Sequence, residues 1–263
     1  MEKENLKKLI QILSIPSRSN QEQKLIRYVL SRLNVKRCKA YQDRLGNIYI
    51  TKGESQDYPC FVAHLDTVHE INNYLEVITF PNNYNDKDIL LTGYDFINQC
   101  STGIGGDDKC GVFMCLDMLE KLEHVKIALF VGEEIGMKGS KHADPEFFKD
   151  VSYAIQFDSP EGNTMSMTLN GIPLFDLNSN FGKTVTPLLL KFGINKWEHH
   201  PFTDTLQLLQ KFNFPCLNLA AGYYKYHFSN EYVKVKDVEN TLSLSLKIAK
   251  ELKRFKKNKI RRK

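Results

Sequence analysis

The sequence lacks any apolar run long enough to cross a membrane. Its 263 residues are 42% hydrophobic and 25% charged, and no stretch approaches the ~20 apolar residues of a transmembrane helix. The first ten residues, MEKENLKKLI, also lack the long apolar segment of a secretory signal peptide. The sequence therefore predicts a globular protein that has no membrane partner and is located in the cytoplasm.

Paired cysteines are missing as well. The six cysteines are spread from Cys38 to Cys216, and none forms a C-x-x-C pair. In a cytoplasmic protein such cysteines are typically reduced and mostly buried thiols. A thiol nucleophile at Cys110 or Cys115 is disfavoured, because Cys115 lies on an apolar helical stripe.

Acidic residues are absent from the end of the chain. Residues 253–263, KRFKKNKIRRK, hold eight Lys or Arg, whereas the net charge of the whole chain is only +5. The rest of the chain is therefore mildly acidic. Such a tail can bind nucleic acid, but we expect this one to be the solvated end of a helix without a nucleic-acid partner.

Strand-like and helix-like segments alternate along the chain. Buried strands are predicted at PCFVAH, KIALFVGEE, SYAIQFDS and PCLNLAAG, and helices at DKCGVFMCLDMLEKL and TDTLQLLQKF, with a long final helix. This alternation predicts an α/β fold, a three-layer sandwich with a mostly parallel central sheet flanked by helices.

Polar side chains follow several of these strands. His64, Glu133, Glu134 and Asp158 stand at the carboxyl ends of predicted strands, and Asp107 opens a predicted helix. In parallel sheets, ligands bind beyond the carboxyl ends of the strands. We therefore expect these groups to meet at one edge of the sheet.

Two pairs of adjacent carboxylates need a compensating charge. Asp107 and Asp108 lie in the glycine-rich stretch GIGGDDKCG, and Glu133 and Glu134 end a buried strand. Half-buried carboxylates require cations or a raised pKa. In a metal hydrolase, one Glu of such a pair binds the metal and the other moves the proton of the attacking water.

Histidines complete the set of candidate ligands. In HLDTV, Asp66 can accept the second ring N–H of His64, as carboxylates beside metal-binding histidines do. His227 follows the strand PCLNLAAG. Two histidines and three carboxylates suit a pair of divalent ions, zinc, manganese or cobalt, with one carboxylate bridging them.

The order of these motifs resembles the di-zinc exopeptidase superfamily. That group includes peptidase T, the tetrahedral aminopeptidases and the vibrio-type leucyl aminopeptidases. GGDDKCG is similar to the ADDKAG of peptidase T, and EEIGMKGS is similar to the EEVGLRGA of the tetrahedral aminopeptidases. The stretch from FTDTLQLLQ to DVEN resembles their closing segment, so the resemblance spans about residues 60 to 245.

The resemblance implies a role for each candidate residue. His64 and Asp158 would bind one zinc, Glu134 and His227 the other. Asp107 would bridge the two ions and be followed by a cis peptide bond, with Asp108 turned away. Glu133 would be the general base. Asp66 would orient His64.

The resemblance also implies a metallo-aminopeptidase that acts on short peptides. The same site serves carboxypeptidases and N-acyl amino acid deacylases, so an acylated amino acid is an alternative substrate. An inactive binding protein with a basic, nucleic-acid-binding tail is a further alternative. The residue that stabilises the oxyanion is left open. The candidates are His199 and His200, and Tyr223, Tyr224 and Tyr226.

The chain is too short between the motifs for the inserted domain of many relatives. We expect residues 1–252 to be a single catalytic domain, with residues 70–98 as the hairpin remnant of an inserted domain and residues 253–263 as a basic tail. An oligomer is compatible with the resemblance.

Overall fold

A computed structural model describes residues 1–34, 37–81, 88–200 and 203–260 of the chain, with side chains up to Lys253 apart from that of His200. The helices are α1 Lys3–Leu13, α2 Gln23–Arg32, α3 Gly106–Lys121, α4 Lys138–Lys141, α5 Pro145–Phe148, α6 Asn180–Lys191, α7 Asp204–Phe212 and α8 Val235–Ile260. The strands are β1 Cys38–Gln42, β2 Ile48–Lys52, β3 Tyr58–His64, β4 Leu75–Pro81, β5 Ile89–Asp95, β6 Cys100–Thr102, β7 Val125–Phe130, β8 Val151–Ser159, β9 Thr164–Leu169, β10 Ile172–Pro173, β11 Lys196–His200, β12 Cys216–Ala220, β13 Tyr223–Tyr224 and β14 Tyr232–Lys234.

The main sheet has nine strands and a parallel centre. Its order is β1-β2-β7-β3-β8-β12-β9-β10, with β11 paired to β9. The four central strands β7, β3, β8 and β12 run parallel, and antiparallel pairs close both sides. The predicted α/β sandwich with helices flanking a mostly parallel sheet is confirmed.

The central strands are buried on both faces, as a sheet between two helical layers requires. Every residue of β7 and β12 is buried. Helix α3 packs against β3 and β8, and α7 packs against β3, β8 and β12. These contacts fix the start of α3 and the start of α7 close to the carboxyl ends of the central strands. None of the helices in the described part of the chain is both long and apolar enough to span a bilayer.

A second sheet has five strands, in the order β13-β14-β5-β4 with β6 on β5. Strands β4 and β5 form an antiparallel hairpin within residues 70–98, although residues 82–87 lie outside the described part. Strand β14 pairs with β5, so the hairpin is joined to the chain that follows β12. The interpretation of this hairpin as a domain remnant, and of residues 1–252 as one catalytic domain, stays a proposal.

The basic tail continues the last helix. The backbone of α8 is helical to Ile260, and residues 261–263 lie outside the described part. The first residue of the tail, Lys253, lies 3.8 Å from Glu123 through two exposed side chains. Exposed pairs of this kind contribute little to stability.

Candidate metal centre

Three parallel strands of the main sheet end at one edge, and the predicted site residues stand there. His64 is the last residue of β3, and Asp158 lies one residue before the end of β8. Strand β7 ends at Phe130, so the prediction that it reaches Glu133 and Glu134 is wrong. The two glutamates lie in the turn after it, where two backbone amides donate to the carbonyl of Glu133. The turn places both of them beyond the edge of the sheet.

The ring of His64 has one nitrogen fixed and one left for a ligand. Its Nδ1 lies 3.0 Å from the backbone carbonyl oxygen of Asp66. A carbonyl only accepts, so Nδ1 carries a hydrogen, and Nε2 is the ring nitrogen that a metal could bind. Nε2 lies 3.0 Å from Oδ1 of Asp107 and 3.6 Å from Oδ1 of Asp158. This group of one imidazole and two carboxylates forms one half of the site.

Asp107 connects this half to a second one. While its Oδ1 faces His64, its Oδ2 lies 3.4 Å from Nε2 of His227. The same nitrogen of His227 lies 3.0 Å from Oε1 of Glu134. All five residues that the sequence predicted as ligands are therefore brought together, with Asp107 between the two histidines.

Asp66 organises the site from below. Its carboxylate lies 3.5 Å from Nδ1 of His64, farther than its backbone oxygen does. The carboxylate accepts the backbone N–H of Glu133 at 2.9 Å and that of Glu134 at 3.2 Å. The hydroxyl of Ser19 donates to it at 2.7 Å. Asp66 therefore holds the histidine through its backbone and the pair of glutamates through its side chain.

The glycine-rich turn directs its two aspartates to different places. The peptide bond between Asp107 and Asp108 is cis, as the resemblance implied. The carboxylate of Asp108 accepts the backbone N–H of His64 at 3.1 Å and that of Gly111 at 2.9 Å. A Cβ on Gly111 would come within 2.3 Å of this carboxylate. Asp108 thus secures the turn and the following helix, while Asp107 faces the histidines.

The electrostatics of the cluster show how strongly it needs positive charge. Burial alone would raise the pKa of Asp107, but hydrogen bonds with His227 and His64 outweigh it and lower that pKa. The hydrogen bond with Asp107, and to a lesser extent that with Glu134, raises the pKa of His227 to about 10. Burial raises the pKa of Asp158 well above its usual range. The carboxylates of the cluster therefore favour positive charge beside them, from a protonated His227 or from a bound cation.

The donor set suits a divalent cation. Ligand atoms of His64, Asp107 and Glu134 all lie within 4.8 Å of one another. Imidazole nitrogen and carboxylate oxygen are the donors that zinc, manganese and cobalt accept in proteins. The residues present therefore fit a metal, and the position of Asp107 fits a carboxylate shared by two of them.

Glu133 is close to this group without being part of it. Among the residues that the structure describes, its carboxylate makes no ion pair with either histidine. Burial raises the pKa of Glu133 to about 8, and the neighbouring charges of Asp204 and Asp107 add to the rise. A buried carboxyl group beside the cluster is suited to proton transfer.

Two buried acidic residues near the site were missed by the sequence reasoning. Glu231 accepts the backbone N–H of Gly105 at 2.7 Å and that of Asp107 at 3.2 Å, and its Oε2 lies 2.8 Å from Nε2 of His69. It therefore fixes the loop that carries Asp107. Asp204 is fully buried at the start of α7. Both lie in the closing segment that runs from FTDTLQLLQ to DVEN, and the sequence pattern assigned neither of them a role.

The histidines proposed for the oxyanion lie at the wrong end of the sheet. His199 pairs with Thr168 on β9, which runs antiparallel to β12. This register places His199 toward the amino ends of β8 and β12, whereas Asp158 lies at the carboxyl end. The side chain of His200 lies outside the described part.

The tyrosines are closer to the cluster. The hydroxyl of the buried Tyr223 donates to Oδ1 of Asp158 at 3.4 Å. The ring of Tyr226 packs edge-on against that of His227, with centroids 4.9 Å apart. Tyr224 instead donates to Asp237 at 2.6 Å. Tyr223 and Tyr226 therefore stay candidates for stabilising the oxyanion.

Comparison with known proteins places the fold. No protein-family model matches the chain, and no curated protein does. The aminopeptidase PepT from Bacillus cereus has a TM-score of 0.70 at 15% identity, over 94% of this chain and 97% of the other. A tripeptidase from Staphylococcus aureus has a TM-score of 0.69 at 14% identity, over 93% and 96%.

A third similar structure is the TET1 peptidase of Pyrococcus horikoshii, with a TM-score of 0.61 at 18% identity, over 92% of this chain and 97% of the other. That protein assembles into a tetrahedron or a large octahedral shell. These likenesses show that the chain has the fold of these peptidases. The resemblance predicted from the motifs is confirmed at the level of the fold.

Proposed function

We propose that this chain is a metallo-aminopeptidase that removes the N-terminal residue of short peptides with a two-metal site. The observation that carries the proposal is the position of Asp107, whose two oxygens face two different histidines. A carboxylate between two nitrogen and oxygen donor groups is what a bridged pair of ions requires. The fold shared with PepT and a tripeptidase supports the same conclusion.

The residues divide into two binding groups and one base. His64 and Asp158 would hold one ion, Glu134 and His227 the other, and Asp107 both. When bound, zinc, manganese or cobalt would supply Lewis acidity to the scissile carbonyl and acidify the attacking water.

Glu133 would move the proton. Its backbone is fixed by Asp66, and its side chain is not engaged by either histidine among the described contacts. It is therefore free to take the proton of the attacking water and return it to the leaving amine. Asp66 would keep Nδ1 of His64 protonated, so that Nε2 stays available as a ligand.

The buried lysines give no support to the alternatives in which the substrate carries a carboxylate at the site. Among the described residues the buried cations are Lys109 and Lys126, and no arginine is buried. Lys109 donates to the carbonyls of Leu13 and Ile15 at 2.8 and 3.0 Å, and Lys126 pairs with Asp150. A carboxypeptidase or an N-acyl amino acid deacylase must bind a substrate carboxylate, and neither of the two buried lysines in the described part of the chain is free to do so.

A substrate panel tests the proposal. We expect short peptides with a free N-terminus to be hydrolysed in the presence of Zn, Mn or Co. Acetylation of the same peptides should lower kcat/KM by roughly 10² or more, because the free amine that an aminopeptidase recognises is removed. The measurement is release of the first residue from matched free and acetylated peptides.

The same panel decides between the alternatives. Faster turnover of N-acyl amino acids, or release of the C-terminal residue, would replace the aminopeptidase proposal with a deacylase or a carboxypeptidase. Failure on every substrate, together with failure to bind metal, would leave the binding-protein alternative. Nucleic-acid binding through the tail would then show as an affinity that falls steeply with salt.

Removing residues 253–263 should leave kcat/KM within a few fold of the full chain. The tail follows the last segment that resembles the exopeptidases, and its Lys253 makes only a long, exposed ion pair with Glu123. The comparison uses the best peptide of the panel, with circular dichroism to confirm the fold. A large loss of activity in a folded protein would show that the tail takes part in function.

A further inference from the structure

Gln156 is a fully buried amide close to the cluster that has no role in the reaction described above. It lies on β8 two residues before Asp158. Residues two apart on a strand share a face, so the side chain of Gln156 stands beside that of the candidate ligand. Its amide Nε2 lies 3.1 Å from Oδ2 of Asp158.

The other end of the amide is held by helix α7. The backbone N–H of Thr205 donates to Oε1 of Gln156 at 2.9 Å. This N–H belongs to the first turn of the helix, where the N-cap residue Thr203 makes no capping hydrogen bond with its side chain. Such N–H groups need an acceptor from elsewhere. Gln156 provides it and thereby caps α7.

The cap decides how the amide is oriented. A backbone N–H can only donate, so the oxygen of Gln156 must face Thr205 and its NH₂ group must face Asp158. The amide therefore donates to Oδ2 of Asp158 and cannot do otherwise without losing the cap. This bond takes up one of the acceptor positions of Oδ2.

The other oxygen of Asp158 faces the cluster. Its Oδ1 points toward Nε2 of His64 at 3.6 Å and accepts from Tyr223 at 3.4 Å. Its backbone is fixed by Asn218, which accepts its N–H at 2.9 Å and donates to its carbonyl at 3.0 Å. With the backbone fixed by Asn218, the rotation of the carboxylate is set by Gln156 at Oδ2, through a 3.1 Å bond, and by the longer contact of Tyr223 at Oδ1.

We infer that Gln156 is a positioning residue. Because its oxygen is held by the start of α7, its NH₂ group keeps Asp158 oriented with Oδ1 toward the ion that His64 and Asp158 would bind. The inference rests on the proposed two-metal site. The two hydrogen bonds of Gln156 go to Asp158 and Thr205, and neither reaches Glu134 or His227. Loss of Gln156 should therefore weaken the binding of one metal ion and leave the binding of the other unchanged.

The test is a zinc titration of the full chain, stripped with a chelator and competed with a chromophoric chelator. Gln156→Met is nearly isosteric and removes both hydrogen bonds. We expect one of two zinc dissociation constants to rise about 10- to 100-fold, as losses of hydrogen bonds to metal ligands do. The other should stay near its wild-type value.

Two background substitutions and one control show which site the effect belongs to. In a Glu134→Gln background, which weakens the second site, Gln156→Met should still weaken the remaining one. In an Asp158→Asn background it should add almost nothing, because the group that it positions is already changed. Val185→Ala is the matched control: it removes buried volume from α6, which packs against α8, and it should leave both constants unchanged.

Gln156→Glu covers the case in which Gln156→Met does not fold. Glutamate keeps the acceptor for Thr205 and hence the cap, but it sets a carboxylate oxygen against Oδ2 of Asp158. Repulsion between the two should turn Asp158 and weaken the same single site.

Several outcomes would overturn the inference. They are equal weakening of both sites, no change at either site, or a full effect in the Asp158→Asn background. If the wild type binds two zinc ions and cleaves peptides while Gln156→Met is indistinguishable from it, only this inference fails. If a site-selective effect appears in a chain that cleaves no peptide, the inference stands and the proposed function fails. A wild type that binds no metal overturns both.

Discussion

Replacing Glu133 with glutamine should lower kcat/KM by about 10² to 10⁴ and leave the metal content near that of the wild type. Loss of a general base typically has an effect of this size. Glutamine keeps the shape of the side chain, and the backbone N–H of residue 133 can still donate to Asp66. The five predicted ligands are untouched, so both ions should bind. The measurements are steady-state kinetics on the best peptide and elemental analysis of the same sample.

The matched variant is Glu134→Gln, one residue along the same turn. Oε1 of Glu134 lies 3.0 Å from Nε2 of His227, so this change removes the charge of a predicted ligand. Metal affinity should therefore fall together with activity. The two roles are reversed if Glu133→Gln loses metal and Glu134→Gln keeps it. Near-full activity of Glu133→Gln would place the proton transfer on another group.

Replacing Asp107 with asparagine should weaken both metals at once and lower kcat/KM by roughly 10³ or more. The two oxygens of Asp107 face His64 and His227, and an amide offers only one oxygen and no charge. Lewis-acid stabilisation is worth several kcal/mol, and each 1.36 kcal/mol is a factor of ten in rate. Zinc titration should give two equivalents for the wild type and a loss of affinity in both steps for the variant.

Asp108→Asn is the control for this prediction, because it makes the same chemical change in the next residue. The carboxylate of Asp108 accepts from the backbone of His64 and Gly111 instead of facing the histidine rings. The variant should lose stability but still bind two ions. Equal loss of metal in both variants would mean that the effect of Asp107→Asn comes from a damaged turn. Loss of one ion only would remove Asp107 as the bridge.

Much of the fold could be predicted because the core strands are short, continuous apolar runs in the sequence. PCFVAH and KIALFV are apolar runs bounded by polar residues, and they form the buried strands β3 and β7. The second sheet was less accessible. Its strand β14 is three residues long and pairs with β5, far away in the chain. Such short strands exist because of their long-range pairing, which local periodicity does not record.

The candidate ligands were predicted for a related reason. Each of His64, Asp107, Glu134 and Asp158 sits beside a strongly patterned element, and the topology of a parallel sheet brings such positions to one edge. Their specific roles came from the order of the motifs in the resemblance. The structure brings the five candidate ligands together, and the variants above test which residues act as ligands and which as the base.

The sequence by itself determined the type of chain, the buried strands and the residues able to bind a metal, because these depend on composition, periodicity and the order of motifs. Only the tertiary structure decided which groups surround them. Gln156, Asp204 and Glu231 carry no local signal, since a buried amide or carboxylate gains its meaning from a partner far along the chain. The amide of Gln156 is oriented by Thr205, and Glu231 holds the loop of Asp107 from more than a hundred residues away. His199, plausible in the sequence, is excluded from the site by the register of β11 on β9, because register depends on pairing between strands and not on the residues of one strand alone.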